Sequence, residues 1–253
     1  MGVYLDSHRV KLNRAIELRT DDSVLDSIID RTISVYENPI ISEIGGYAFR
    51  NCSALTSVSL PKVASIADYT FYSCSSLASI NLPQATSIGN YAFYGCGSLT
   101  SINLPQATSI GNYAFYSCSH LASINLPQVT LIGSDAFGYC DYRSLTSINL
   151  PQATLIGDNA FSCCWYLTSI NLPQVTSIGS YAFRNCYKLL SLYLLGSSIV
   201  SLAATNVFIK TPISTYTTST SGVYGSIFVP ASLYSSYLTA KNWSIYSARI
   251  VSR

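Results

Sequence analysis

Between Tyr69 and Ser134 the chain has no formally charged side chain, so a surface built from that segment consists of Ser, Thr, Asn, Gln and Tyr. Over its full length, 14 basic residues balance 12 acidic ones to a net charge of +2. That is too little for the basic face that phosphate backbones require, and nucleic acid is excluded as the expected partner. Histidine is scarcer still: His8 and His120 are the only two, so any Ser-His-Asp or Cys-His constellation must use one of them. Neither a CxxC pair nor a His-rich set is present, which removes zinc. Phosphate-cradling glycine loops are missing as well, and no cofactor is expected. No stretch approaches 18 uncharged apolar residues, so no membrane-inserted helix is expected. Met1 to Arg14 carries Asp6, His8, Arg9, Lys11 and Arg14 with no apolar core, so it does not read as a signal peptide.

What the chain has instead is repetition. The stretch SINLPQATSIGNYAFY runs from Ser79 to Tyr94 and again, letter for letter, from Ser101 to Tyr116. Alignment on Phe49, Phe71, Phe93, Phe115, Phe137, Phe161 and Phe183 gives spacings of 22 residues, with one spacing of 24 caused by an insertion between Cys140 and Leu145. The unit reads LxxIxLPxxxxxIGxxAFxxCxx. In its first half, Ile80 and Leu82 alternate with outward-facing Ser79 and Asn81, a short strand that Pro83 ends because it has no N–H to give. In the second half Ile88, Ala92 and Phe93 return against the strands, with Gly89 placed for a sharp turn into a short helix or irregular arm. One unit cannot bury both halves, whereas stacked units can. The expected fold is an α/β-type repeat solenoid of 7 to 8 turns, with parallel strands on one face and helical or irregular arms on the other.

This template resembles the BspA-type leucine-rich repeat family of bacterial and protist surface proteins, on the strength of LP followed by IGxxAFxxC in unit after unit. The segment IFVPASLYSSYLTAKNW at Ile227 to Trp243 also resembles the closing segment of such proteins. The resemblance implies a right-handed leucine-rich repeat superhelix used for adhesion or protein binding, located outside the cell or on its surface, with no catalytic residues to carry over. It divides the chain into an N-terminal segment (1–32), the solenoid (33–202) and a C-terminal cap (203–253). Asp21 and Asp22 before Val24, Leu25, Ile28 and Ile29 predict a capping helix at the front. At the back, a Ser/Thr-rich loop from Thr211 to Ser221 precedes a strand from Val223 to Val229. A helix follows Pro230, with Leu233, Tyr237 and Ala240 on one face and Trp243 packed beneath.

Cysteine is present in an even number, 8, which invites a disulfide framework. Seven of the eight, however, stand three residues after the repeat Phe, and only Cys163 is off that column. Such a column reads as a ladder of buried, reduced thiols, each acting as a small hydrophobe. His120 falls in a variable loop column, and Glu43, Asp68, Asp135, Asp141 and Asp158 are spread over different faces, so an enzyme is not expected.

Two surfaces compete for a partner. One is the strand face, where Ser57 to Ser169 and Ser59 to Asn171 align as an uncharged hydrogen-bonding stripe. The other is the loop between the Cys and the next Leu, small in early units but enlarged later to Tyr142 and Arg143, then Trp165 and Tyr166, then Tyr187 and Lys188. Neighbouring turns place these side chains together as an aromatic and basic patch of hot-spot composition. The same residues could instead pack on the insertion and the C-terminal cap. Tyr47, Tyr69, Tyr91, Tyr113 and Tyr181 form a further regular column, open to either reading. The expected partner is a protein on a host or bacterial surface; a glycan is the alternative, since Tyr, Trp and Asn suit sugar faces.

Overall fold

The computed structural model describes residues 16–18, 24–28, 32–141, 145–214 and 224–253. Asp21, Asp22, Ile29, Tyr142, Arg143 and the Ser/Thr-rich stretch 215–223 lie outside them.

The chain coils into a solenoid of about nine turns. Most turns contribute two short strands that pair in register with copies on neighbouring turns, the first kind in three separate parallel groups and the second in one long ladder. The first kind is the Ser-Ile-Asn segment, such as Ser101–Asn103, which lies parallel to Ser123–Asn125 with Ile102 opposite Ile124. The second kind has only two residues, such as Ser109–Ile110, and forms a seven-stranded parallel ladder from Ser65–Ile66 to Ser201–Leu202. Alternation dictates the burial: Ser and Asn face outward, Ile inward, and the following Leu is sealed in the core. Pro then ends the strand, as its missing N–H requires.

The second ladder differs from the expected arm, because the IGxxAF half opens as a strand. The rest of that arm is a succession of tight turns, and the only helices among the described residues lie near the C-terminus. The glycine also has a different role from the expected one. None of Gly89, Gly111, Gly133, Gly157 and Gly179 has positive φ; a Cβ on Gly111 would sit 2.7 Å from the backbone of Gly89 and Asn90 in the preceding turn. Glycine stands there because two turns nearly touch. A left-handed residue comes two positions later, a tyrosine on five turns (Tyr47, Tyr69, Tyr91, Tyr113 and Tyr181, φ between 55° and 65°) and Asp135 or Asn159 after Gly133 and Gly157.

Between the ladders lies a continuous core. Phe49 to Phe183 stack as one column of near-parallel rings with centroids 5.0 to 5.5 Å apart, and Phe208 adds a further rung at 5.6 Å. All eight cysteines are buried, and none is in a disulfide. In six of them the thiol donates to the carbonyl of the Phe one turn back, for example Cys118 Sγ to Phe93 O at 3.1 Å and Cys186 Sγ to Phe161 O at 3.1 Å. The small donor thus fills space and satisfies a buried carbonyl together.

The front end requires a correction. Val24–Ile28 is a strand, not a helix; it pairs antiparallel with Ile16–Leu18 and parallel with Glu43–Ile44. Pairing with the exposed edge of a ladder satisfies backbone groups that a helix would leave open, and this tertiary demand outweighs the helical spacing of the apolar residues. At the back, Ser226–Val229 and Ile250–Ser252 extend the first ladder in parallel, and Tyr234–Thr239 is a short helix. Trp243 is fully buried and donates its indole N–H to Val200 O, while Tyr237 and Tyr246 meet it edge-on.

Candidate functional site

Because stacked turns place equal columns side by side, each outward column becomes a stripe. On the strand face asparagines of neighbouring turns bond to one another: Asn125 Nδ2 donates to Asn103 Oδ1 at 2.8 Å, and Asn171 Nδ2 to Asn149 Oδ1 at 3.3 Å. Beside the second ladder runs an open groove of about 360 Å³, lined by Ser65, Ser87, Ser109, Asp68, Asn90 and the glycines. Its polar groups also serve the fold, since the Asp68 carboxylate accepts from the Asn90 backbone N–H at 2.6 Å and from its Nδ2 at 3.2 Å. A threonine column behaves alike, Thr108 Oγ1 donating to Thr86 O at 3.2 Å and Thr130 Oγ1 to Thr108 O at 3.2 Å. These bonds tie successive turns together.

The loop patch is different. Trp165 is 40% exposed and Tyr187 51%, although aromatic rings of this size gain most from burial. Their centroids lie 6.2 Å apart at 43°, and the Lys188 ammonium sits 4.1 Å over the Tyr166 ring. Four of the six residues named from sequence therefore meet on two adjacent turns as an exposed aromatic and cationic surface. The other two, Tyr142 and Arg143, lie outside the described residues. His120 is exposed on another loop, its Nδ1 2.6 Å from Gly97 O. Among the described residues, no group of three or more His, Cys, Asp or Glu is arranged to hold a metal, and no helix is long and apolar enough to cross a membrane.

Sequence reasoning noticed the tyrosines but not their architecture. Tyr47, Tyr69, Tyr91 and Tyr113 stack face to face at 4.7 to 4.8 Å. Alongside them Tyr72, Tyr94 and Tyr116 form a second row at 4.9 and 5.1 Å, and the two rows meet at tilts of 41° to 52°. Burial pushes the Tyr94 phenol above its usual range and takes Tyr116 up to about 12. Departures from the repeat also reach further than the loop. Where other turns of the second ladder have outward Ser, two have Leu131 and Leu155, 42% and 40% exposed. The signal was available in TLIGSDAF and TLIGDNAF, which break the copied TSIGNYAF at these positions and in the tyrosine column.

Compared with known proteins, the chain matches the family profile described as "BspA type Leucine rich repeat region", in 6 copies, over residues 42–154 and 108–228. Among solved structures it is similar to the leucine-rich repeat protein of T. pallidum, with 31% identity, a TM-score of 0.61, and coverage of 69% of this chain and 86% of that one. It also shares its fold with a leucine-rich repeat protein from Bacteroides ovatus, at 24% identity and a TM-score of 0.55, over 86% of this chain and 62% of that one. Comparison with proteins of curated function returns no match.

Proposed function

Because this chain belongs to the BspA-type leucine-rich repeat family, we infer that it is a binding module without catalysis of its own, recognising a protein through a surface built from consecutive repeats. The contact centre is the patch of Trp165, Tyr166, Tyr187 and Lys188, with Tyr142 and Arg143 from the inserted loop as further members. The observation that carries this reading is the exposure of Trp165 and Tyr187 side by side on a scaffold whose other large rings are mostly stacked or buried. Trp, Tyr and cationic side chains grouped at the centre of a patch are the usual anchors of protein interfaces. A protein is preferred to a glycan because the tyrosine rows turn ring edges outward, and sugar rings stack on faces.

The test is an unbiased pull-down from surface extracts with the full chain and Trp165→Ala. A retained protein should bind at least about tenfold more weakly to the variant, with no change in melting temperature. Equal retention by both proteins would remove the patch from the interface, and a glycan array positive where every extract is negative would replace the protein reading.

A further inference from the structure

After Asp158 the sequence has no acidic side chain, yet it has six basic ones: Arg184, Lys188, Lys210, Lys241, Arg249 and Arg253. Residues 1–158 hold the other eight basic residues against all twelve acidic ones. The near-neutral total therefore hides a negative front and a positive back. Two of the six cations stand at the end of the strand face, where the pattern of that face also changes. Its last three strands are Ser191–Tyr193, Ser226–Val229 and Ile250–Ser252. Their register continues the asparagine column of Asn149 and Asn171 with Tyr193, Phe228 and Val251 in turn.

Each of the two guanidiniums lies on aromatic rings of this block. Arg253 is 5.5 Å from the centre of Tyr193 and 5.8 Å from that of Phe228, rings that stack on each other at 4.8 Å. Arg249, at the entry of the last strand, lies 3.9 Å over Tyr224, at the entry of the strand before it. Tyr224 is 52% exposed and Val251 40%, and Arg253 is exposed as well. Rings hold a guanidinium in place without neutralising it. A carboxylate would neutralise it, but none of the strands on this face from Ser57–Ser59 to Ile250–Ser252 contains an acidic residue.

We propose that the back end of the strand face docks an acidic segment of a protein partner. Two carboxylates of that segment pair with Arg249 and Arg253, and an apolar side chain between them rests on Phe228 and Val251. Arginine suits this role because its planar group stays on a ring while its fork engages a carboxylate. Arg249 and Arg253 are four residues apart, about 13 Å along an extended chain, which is the reach of acidic residues four apart on a partner strand. A phosphate or sulfate polymer fits less well. Two cations are too few for a phosphate backbone, and Tyr193 and Phe228, stacked across neighbouring strands, turn edges outward and not the faces on which bases and sugars stack. The proposal takes from the binding-module reading only that the partner is a protein, and none of its residues belongs to the Trp165 patch.

The probe is a labelled Gly-Ser peptide with two glutamates four residues apart and a leucine midway, compared with the same peptide carrying glutamine for glutamate. Binding is measured at physiological ionic strength, where charges more than about 8 Å away are screened. Wild type should prefer the glutamate peptide by about fivefold, the worth of two exposed ion pairs. Arg249→Gln together with Arg253→Gln should abolish the preference. Lys210→Gln, a loss of charge at the left-handed arm position of its turn, should retain it. No preference in wild type, an undiminished one in the double variant, or equal loss in Lys210→Gln would overturn the proposal. So would tighter binding of a sulfated glycan or a single-stranded oligonucleotide that the double variant abolishes. Should the double variant fail to fold, Arg253→Gln decides alone. The peptide assay needs no native partner, so an empty pull-down with a positive peptide result sinks only the Trp165 reading, and the reverse result sinks only this one.

Discussion

At the residue scale, the thiol column shows how one atom can serve packing and hydrogen bonding at once. Burial raises the pKa of Cys96, Cys118, Cys164 and Cys186 above the ordinary thiol value. Tyr36 and Tyr116 are pushed up to about 12, again chiefly by burial. The folded state therefore keeps protons that the unfolded chain releases once the pH passes the ordinary thiol value of about 8.5. The stability these groups confer is complete below that pH and declines through the alkaline range above it. We expect a melting temperature that is flat from neutral pH to about 8 and falls steadily beyond about 9; a curve flat to pH 11 would contradict it. In the folded protein, thiol titration should find at most one accessible group, Cys163, which lies off the column with Asn185 Nδ2 3.3 Å from its sulfur. In denaturant without reductant all eight should react.

At the scale of the element, each turn is held to the next by contacts that repeat with the sequence, and glycine sets how close they come. Gly111→Ala should destabilise by about 2 kcal/mol or more, as overpacking does, because the new methyl group meets backbone that cannot move aside. If glycine were present only for a flexible turn, alanine at an ordinary φ would be neutral or mildly stabilising. Chemical denaturation separates the two. Tyrosine in the left-handed conformation is the less expected part of the same arm, since a bulky residue there is strained. Face-to-face stacking of Tyr47, Tyr69, Tyr91 and Tyr113 offsets part of that strain.

At the scale of the whole molecule, the fold is close to one-dimensional, each turn touching chiefly its neighbours. Removal of residues 79–100, one exact repeat, joins Ala78 to Ser101 without shifting any column. The shortened chain should fold, with the slope of its urea unfolding reduced by roughly a tenth, in proportion to the surface lost. Failure to fold cooperatively would show that the turns are less interchangeable than their sequences. The division at residues 32 and 202 remains a proposal, and limited proteolysis that cuts first near those positions would support it. Stacking itself runs past residue 202, through Phe208 and on to Ile250–Ser252.

Period and pattern were enough to determine the solenoid, its parallel strands, its Phe and Cys columns and the side-by-side placement of Trp165, Tyr166, Tyr187 and Lys188. A repeat of fixed length can bury its apolar half in essentially one way, by stacking, and stacking brings every equal column together. Several features required the folded molecule. Val24–Ile28 became a strand because an exposed ladder edge offered partners that no local pattern encodes. The glycines answer to the approach of a neighbouring turn, a distance that exists only after coiling.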